Sequence, residues 1–158
     1  MKGASEVLTQ LNEVLQGEVT AVNQDVLHAS LCKNWGCLRL HQKISAESLE
    51  EMWHAQPRID RILCLEGMPV LTYPLSVHVG RDLKDTLERD LQLESSALPP
   101  RKKGGSLGLE QGDTGTRELL EYLIVAGEEP IAWWEAQLHL IQTVGLEHSA
   151  AQQMQSEA

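Results

Sequence analysis

Leucine, valine and isoleucine recur at intervals of three and four along most of this chain. Leu8, Leu11, Leu15, Val19, Val22, Val26 and Ala29 form one such stripe within residues 5–36. That spacing predicts an amphipathic helix, with Gly36 placed as its stop. A second stripe runs from Ala46 to about Glu66 through Leu49, Met52, Ile59, Ile62 and Leu63, and ends at Gly67 and Pro69. Residues 70–80 carry no helical period and predict a link long enough to cross the length of a bundle. A third helix begins near Arg81 and presents Leu83, Leu87 and Leu91, with Glu94 on the same line. A fourth runs from about Thr116 to Val144 along Leu120, Ile124, Gly127, Ile131, Trp134, Leu138 and Ile141. The tail after Gly145 has room for one last short helix. No segment alternates with period two over a useful length, so the prediction is an all-α bundle.

Two stretches break the pattern. Residues 98–115, LPPRKKGGSLGLEQGDTG, hold two prolines and five glycines. In a helix interior each glycine costs about 1 kcal/mol and each proline about 3 kcal/mol, so an irregular surface loop is expected there. The second stretch is GEEPIAWWE, residues 127–135, which sets a glycine and a proline inside the fourth helix. Pro130 should kink that helix by removing an N–H from its interior. For the adjacent pair Trp133 and Trp134, the expectation is one ring in the core and one at an interface.

Composition narrows the class. A chain of 158 residues is the size of one domain, here expected to span 1–158, and can bury a core without staples. A formal charge of −10 argues against nucleic acid, whose phosphates need a basic face. Cys32, Cys37 and Cys64 match no zinc spacing and are expected to be thiols in a reducing compartment. The N-terminal MKGASEVLTQ lacks an apolar signal core, and no apolar run approaches the roughly twenty residues of a membrane span. A cytoplasmic protein without a membrane partner is the expectation.

The candidate chemistry lies where apolar residues belong. Glu18 falls between Leu15 and Val22 on the first stripe, and Glu94 continues the leucines of the third. Glu51 and His54 are three residues apart, hence on one helix face. Buried carboxylates are costly unless paired or bound to a cation, so three glutamates and a histidine aimed into one bundle point to a metal ion. Met52, one step round the helix from Glu51, is by spacing alone an adaptable packing residue.

These positions resemble the ligand set of ferritin-like di-iron proteins, which take one Glu from each of two helices and a Glu-x-x-His from each of the other two. Glu18 and Glu94 match the single glutamates, and Glu51-Met52-Trp53-His54 the first Glu-x-x-His. The segments AVNQDVLHA, KNWGCLRL, ESLEEMWHA, RIDRILCLEGMP and LIQTVGLE, with MKG at the start, resemble bacterioferritin over about 1–97 and 116–148.

The resemblance implies a ferritin-like four-helix bundle with one long crossover and a short C-terminal fifth helix. It implies iron storage in a shell of twenty-four subunits, non-haem iron at Glu18, Glu51, His54 and Glu94, and haem b at a twofold dimer interface with Met52 as axial ligand. A redox ferredoxin is the implied electron donor. The second Glu-x-x-His should stand at 127 and 130, where this chain has Gly127 and Pro130. Glu128 and Glu129 lie about 100° and 200° round the helix from 127 and so do not inherit its position. Asp25 stands where the family usually has tyrosine.

Two of six expected ligands are thus replaced, and two readings follow. In the first, the chain is a haem-binding shell subunit with a degenerate ferroxidase centre. It co-assembles with a ferroxidase-active subunit, since an irregular 98–115 would repeat as a defect throughout a homomeric shell. In the alternative, it is an active ferroxidase using a modified site, with Asp25 or Glu128 as substitute ligand.

Overall fold

The computed structural model describes residues 2–73 and 75–154. Among them are six helices, α1 (Ser5–Asn34), α2 (Leu38–Cys64), α3 (Leu83–Glu110), α4 (Thr114–Ala126), α5 (Glu128–Val144) and α6 (Leu146–Gln152), and no strand. α1 packs on α2 and α3, α3 on α4 and α5, and α2 on α4, so α4 and α5 together make the fourth member of a four-helix bundle. The short α6 packs on α5. No helix among the described residues is long and apolar enough to cross a membrane.

The bundle buries two apolar clusters, one towards each end. Val7, Leu11, Leu15, Ile62, Leu65, Leu120 and Leu123 fill one. Ala29, Leu40, Ile44, Leu87, Trp134 and Ile141 fill the other. Between them the interior is polar, and that layer holds the candidate chemistry. Trp134 is buried at 1 % exposure, with its ring edge-on to Trp133 at 4.6 Å. Trp133 is only partly buried and lies under the Lys43 ammonium, 5.6 Å from the ring centroid.

Short turns join α1 to α2 and α3 to α4. Gly36 (φ 81°) and Gly112 (φ 66°) take the left-handed conformation in them that residues with a Cβ rarely adopt. The Asp113 carboxylate caps α4 by accepting from the Thr116 N–H at 3.0 Å, and the Arg61 guanidinium clamps that carboxylate from α2.

Residues 65–82 form the long crossover between α2 and α3. Polar side chains of α1 hold its backbone at intervals. The Val70 N–H donates to Asn12 Oδ1 at 2.6 Å and the Thr72 N–H to Gln16 Oε1 at 2.6 Å. The His78 N–H donates to Gln24 Oε1 at 3.1 Å and the Gly80 N–H to His28 Nε2 at 2.9 Å. Because His28 Nε2 accepts, its proton sits on Nδ1, which donates to Asp90 Oδ1 at 2.6 Å.

The structure corrects three expectations. Residues 98–115 do not form an irregular loop: α3 continues through Pro99 and Pro100 to Glu110, a three-residue turn follows, and α4 begins at Thr114. Close packing overrides propensity there. A Cβ at Gly104 would run into Leu120 of α4, and one at Gly108 would stand 3.0 Å from the Arg117 nitrogen, so both glycines let α3 and α4 approach. The second helix begins at Leu38 rather than Ala46, and Leu49, Met52 and Leu63 of its expected stripe are more than half exposed. Its buried face is Leu40, Ile44, Glu47, Ser48, Glu51, Arg58 and Ile62. The fourth helix is interrupted at Gly127, so Pro130 falls in the first turn of α5, where a missing N–H leaves no gap in the ladder.

Candidate metal centre

Glu18 enters the polar layer from α1, Glu51 and His54 from α2, and Glu94 from α3. The three carboxylates are buried, and His54 is partly so. His54 Nδ1 lies 3.6 Å from Glu51 Oε1, and its ring meets Tyr122 edge-on at 6.2 Å. Glu18 Oε1 and Oε2, Glu51 Oε2 and Glu94 Oε2 are buried without a hydrogen-bond partner among the described residues. Unpartnered buried carboxylate oxygens call for a cation.

From the fourth helix no ligand arrives. Gly127 and Pro130 are the buried residues at this level, while Glu128 and Glu129 are exposed and Glu129 faces Lys43 at 3.5 Å. That exposure takes Glu128 out of contention as a replacement ligand.

Two guanidinium groups occupy the layer instead. Arg58, on α2 one turn beyond His54, is 1 % exposed, and its Nε lies 3.1 Å from Glu18 Oε1, although not aligned as a hydrogen bond. Arg58 also donates from Nη1 to the His54 carbonyl. Arg101, on α3, is 3 % exposed, with Nη2 3.8 Å from Glu51 Oε2 and Nη1 donating to the Leu123 carbonyl at 3.4 Å. A Cβ built on Gly127 would stand 3.0 Å from Arg101 Nη1. The space beside the missing ligand is therefore filled by an arginine.

Burial dominates the electrostatics. It raises Glu18 to about 7 against the opposing pull of Arg58, and raises Glu94 to about 8, with Glu51 adding and Arg101 opposing. It lowers Arg58 to about 10 despite the attraction of Glu18. Gly127 and Pro130 present no metal-ligating side chain, two guanidinium groups stand in the layer, and no three His, Cys, Asp or Glu side chains among the described residues are grouped to hold a metal ion.

Asp25, one α1 turn beyond Ala21, is buried with Oδ2 unpartnered among the described residues. Burial raises its carboxyl to about 10, with Asp90, Glu94, Glu51 and Glu47 adding. That shift favours its protonated form at neutral pH. An acid whose folded pKa is raised loses stability as pH climbs from its unfolded value, 3.8, towards the folded one. The Asp25→Asn variant is therefore expected to be more stable than the parent, by an amount that grows between pH 5 and pH 8 to on the order of 2–4 kcal/mol. Denaturant titrations at the two pH values check this, and an equal offset at both would refute it.

Met52 points the other way. It is 55 % exposed on α2, one residue from buried Glu51, with Leu49 and Trp53 also exposed. A thioether on an exposed apolar face can ligate a group shared with another molecule.

The bundle, its crossover and the glutamates at its centre define a ferritin-like protein, and a ferritin-like domain family matches residues 8–144. The chain is 40 % identical over 152 residues to the bacterioferritin BfrA of Mycobacterium tuberculosis, covering 96 % of each chain. It is 37 % identical over 147 residues to the bacterioferritin of Brucella melitensis, covering 93 % of this chain and 91 % of that one. A bacterial ferritin of Synechocystis is 34 % identical over 155 residues, covering 98 % and 99 %. The chain belongs to the bacterioferritins.

Sequence reasoning named Glu18, Glu51, His54 and Glu94 as metal ligands; the structure places them in one layer without grouping three of them to hold a metal ion. It missed Arg58 and Arg101. Both lie seven residues beyond a glutamate of the set, Arg58 after Glu51 and Arg101 after Glu94, a spacing that returns to the same helix face. That was the available signal.

Proposed function

We propose that this chain is an iron-storage subunit whose oxidation centre is degenerate, and that it builds a shell together with a subunit that oxidises iron. The observation that carries this reading is the Arg101 guanidinium beside Gly127, where a carboxylate ligand is expected. Iron is here substrate and cargo. Glu18, Glu51, His54 and Glu94 are the residues an incoming Fe²⁺ would meet. With Gly127 and Pro130 opposite them, the second ion of a pair has no carboxylate or imidazole from the fourth helix. The net charge of −10 favours accumulation of cations near the protein. The test is stopped-flow oxidation of Fe²⁺ by the isolated chain in air. A slow course without saturation is expected, and a rapid phase saturating at about two irons per subunit, the stoichiometry of a two-metal site, would sink the reading.

Haem b is proposed to bind at a twofold dimer interface, with Met52 of each subunit as axial ligand. The support is chemical: an exposed thioether, flanked by exposed Leu49 and Trp53, one step round the helix from Glu51, which is buried. A haem held there would supply a one-electron redox centre, and a redox ferredoxin is the proposed donor. Met52→Ala is expected to remove the absorption of a bis-thioether haem while leaving the fold intact. Truncating a side chain more than half exposed costs well below the roughly 2–5 kcal/mol of a buried methionine. An unchanged spectrum in that variant would place the haem ligand elsewhere.

A further inference from the structure

We infer that Arg58 and Arg101 are the resident cations of this centre, standing in the bundle interior where a pair of metal ions would otherwise neutralise Glu18, Glu51 and Glu94. The inference deepens the reading of a degenerate oxidation centre and rests on it.

Charge and position carry the inference. Buried arginines are rare unless paired, and here two of them share one layer with three buried carboxylates. They divide the work by place. Arg58 faces Glu18 across α1 and α2 at 3.1 Å. Arg101 faces Glu51 at 3.8 Å, lies within electrostatic reach of Glu94 and Glu18, and abuts the bare backbone of Gly127. Glycine at 127 leaves room for the guanidinium, whose Nη1 a Cβ there would meet at 3.0 Å.

A guanidinium differs from a metal ion in three respects that matter here. It is attached to the chain, so it is present at all iron concentrations. It does not deprotonate under working conditions. It accepts no ligand, so it can neither bind dioxygen nor change valence. A centre holding both guanidinium groups carries two positive charges without metal, and bringing two divalent ions into it would set four more beside two that cannot leave.

The experiment uses Co²⁺, which is not oxidised under the conditions and has visible d–d absorption. The full chain is titrated with Co²⁺ alongside the variants Glu51→Gln, Arg101→Met and Arg58→Met/Arg101→Met, with Tm recorded at each concentration. The parent is expected to show no Co²⁺ absorption that Glu51→Gln removes, and no rise in Tm. The double variant is expected to melt below the parent without metal. It should then gain a Glu51-dependent Co²⁺ band and a Tm rise of about 5–10 °C at a hundredfold excess over Kd. A side chain needed only for packing would not be replaced by an ion, so rescue by metal separates the two roles.

A Glu51-dependent band in the parent overturns the inference, as does a double variant that melts like the parent in the absence of metal. Should the double variant not accumulate, Arg101→Met and the parent titration decide by the same two readings. Because Co²⁺ binding is read without oxidation, a parent that binds Co²⁺ yet oxidises iron slowly refutes the resident cations and leaves the proposed function standing. A rapid, saturating iron oxidation refutes the function itself.

Discussion

Replacing Gly127 by Glu and Pro130 by His, which restores both absent ligands, is expected to leave iron oxidation at the level of the parent. The new glutamate would start from a Cβ 3.0 Å from Arg101 Nη1 and close onto that guanidinium as an ion pair, charge-assisted and at short range. The restored carboxylate is then spent on an arginine instead of an iron. Only when Arg58 and Arg101 are also replaced by apolar residues is the space beside the carboxyl groups free of fixed cations and open to a metal ion. The fourfold variant is expected to oxidise Fe²⁺ at least tenfold faster than the twofold one, the scale on which groups around a metal site govern its affinity or activity. Stopped-flow traces of parent, twofold and fourfold variants make the comparison. Full recovery in the twofold variant would show that Arg101 yields the space freely, and the resident-cation account would fail with it.

The second large effect concerns assembly. Co-expressed with a subunit carrying both Glu-x-x-His motifs, this chain is expected to enter mixed shells whose initial rate of iron uptake scales with the fraction of intact subunits. Expressed by itself, it should load iron only at the rate of unassisted oxidation. The reason is chemical, because mineral forms from ferric iron that some subunit must produce. The structural reason expected from the sequence has gone: with α3 unbroken to Glu110, nothing in 98–115 bars a shell of identical chains. Native mass spectrometry of the co-expressed shells gives the subunit ratio, and iron uptake measured against that ratio tests the proportionality. Rapid uptake by shells of this chain alone would refute it.

The fold was legible wherever apolar spacing carried the information. The line from Leu120 to Ile141 was found because its buried face is apolar, whereas the α1 stripe caught Leu11, Leu15 and Ala29, missed the buried Gln10, Gln24 and His28, and included Val26, which is exposed. α2 misled because its buried face is largely polar: Glu47, Ser48, Glu51 and Arg58 point inward while Leu49, Met52 and Leu63 point outward. A pattern that equates inside with apolar inverts such a helix. Residues 98–110 misled for a different reason. Propensity penalises proline and glycine in a helix, but Gly104 and Gly108 permit a close approach to α4 that side chains would prevent, and tertiary packing outweighs the local cost. Of the centre, the glutamates and His54 could be read because they interrupt apolar stripes or share one face at short spacing. The arginines could not be read from their type alone, since most arginines are surface residues; only their heptad distance from Glu51 and Glu94 set them apart.

The side chains of Asn12, Gln16, Gln24 and His28 that hold the crossover are spaced by four or multiples of four, whereas a helix turns every 3.6 residues. Each step of four advances the attachment point by about 40°, so from Asn12 to His28 it migrates through about 160°. The line of attachment thus migrates across the surface of α1 as the crossover passes from the end of α2 to the start of α3. It behaves as a thread on a screw whose pitch is set by the helix. Inserting one residue into α1 between Gln16 and Gln24 would rotate the upper two attachment points by about 100° relative to the lower two, and the thread would strip at one end or the other. The length of α1 is thereby fixed by the course of a segment whose described residues have no regular structure of their own.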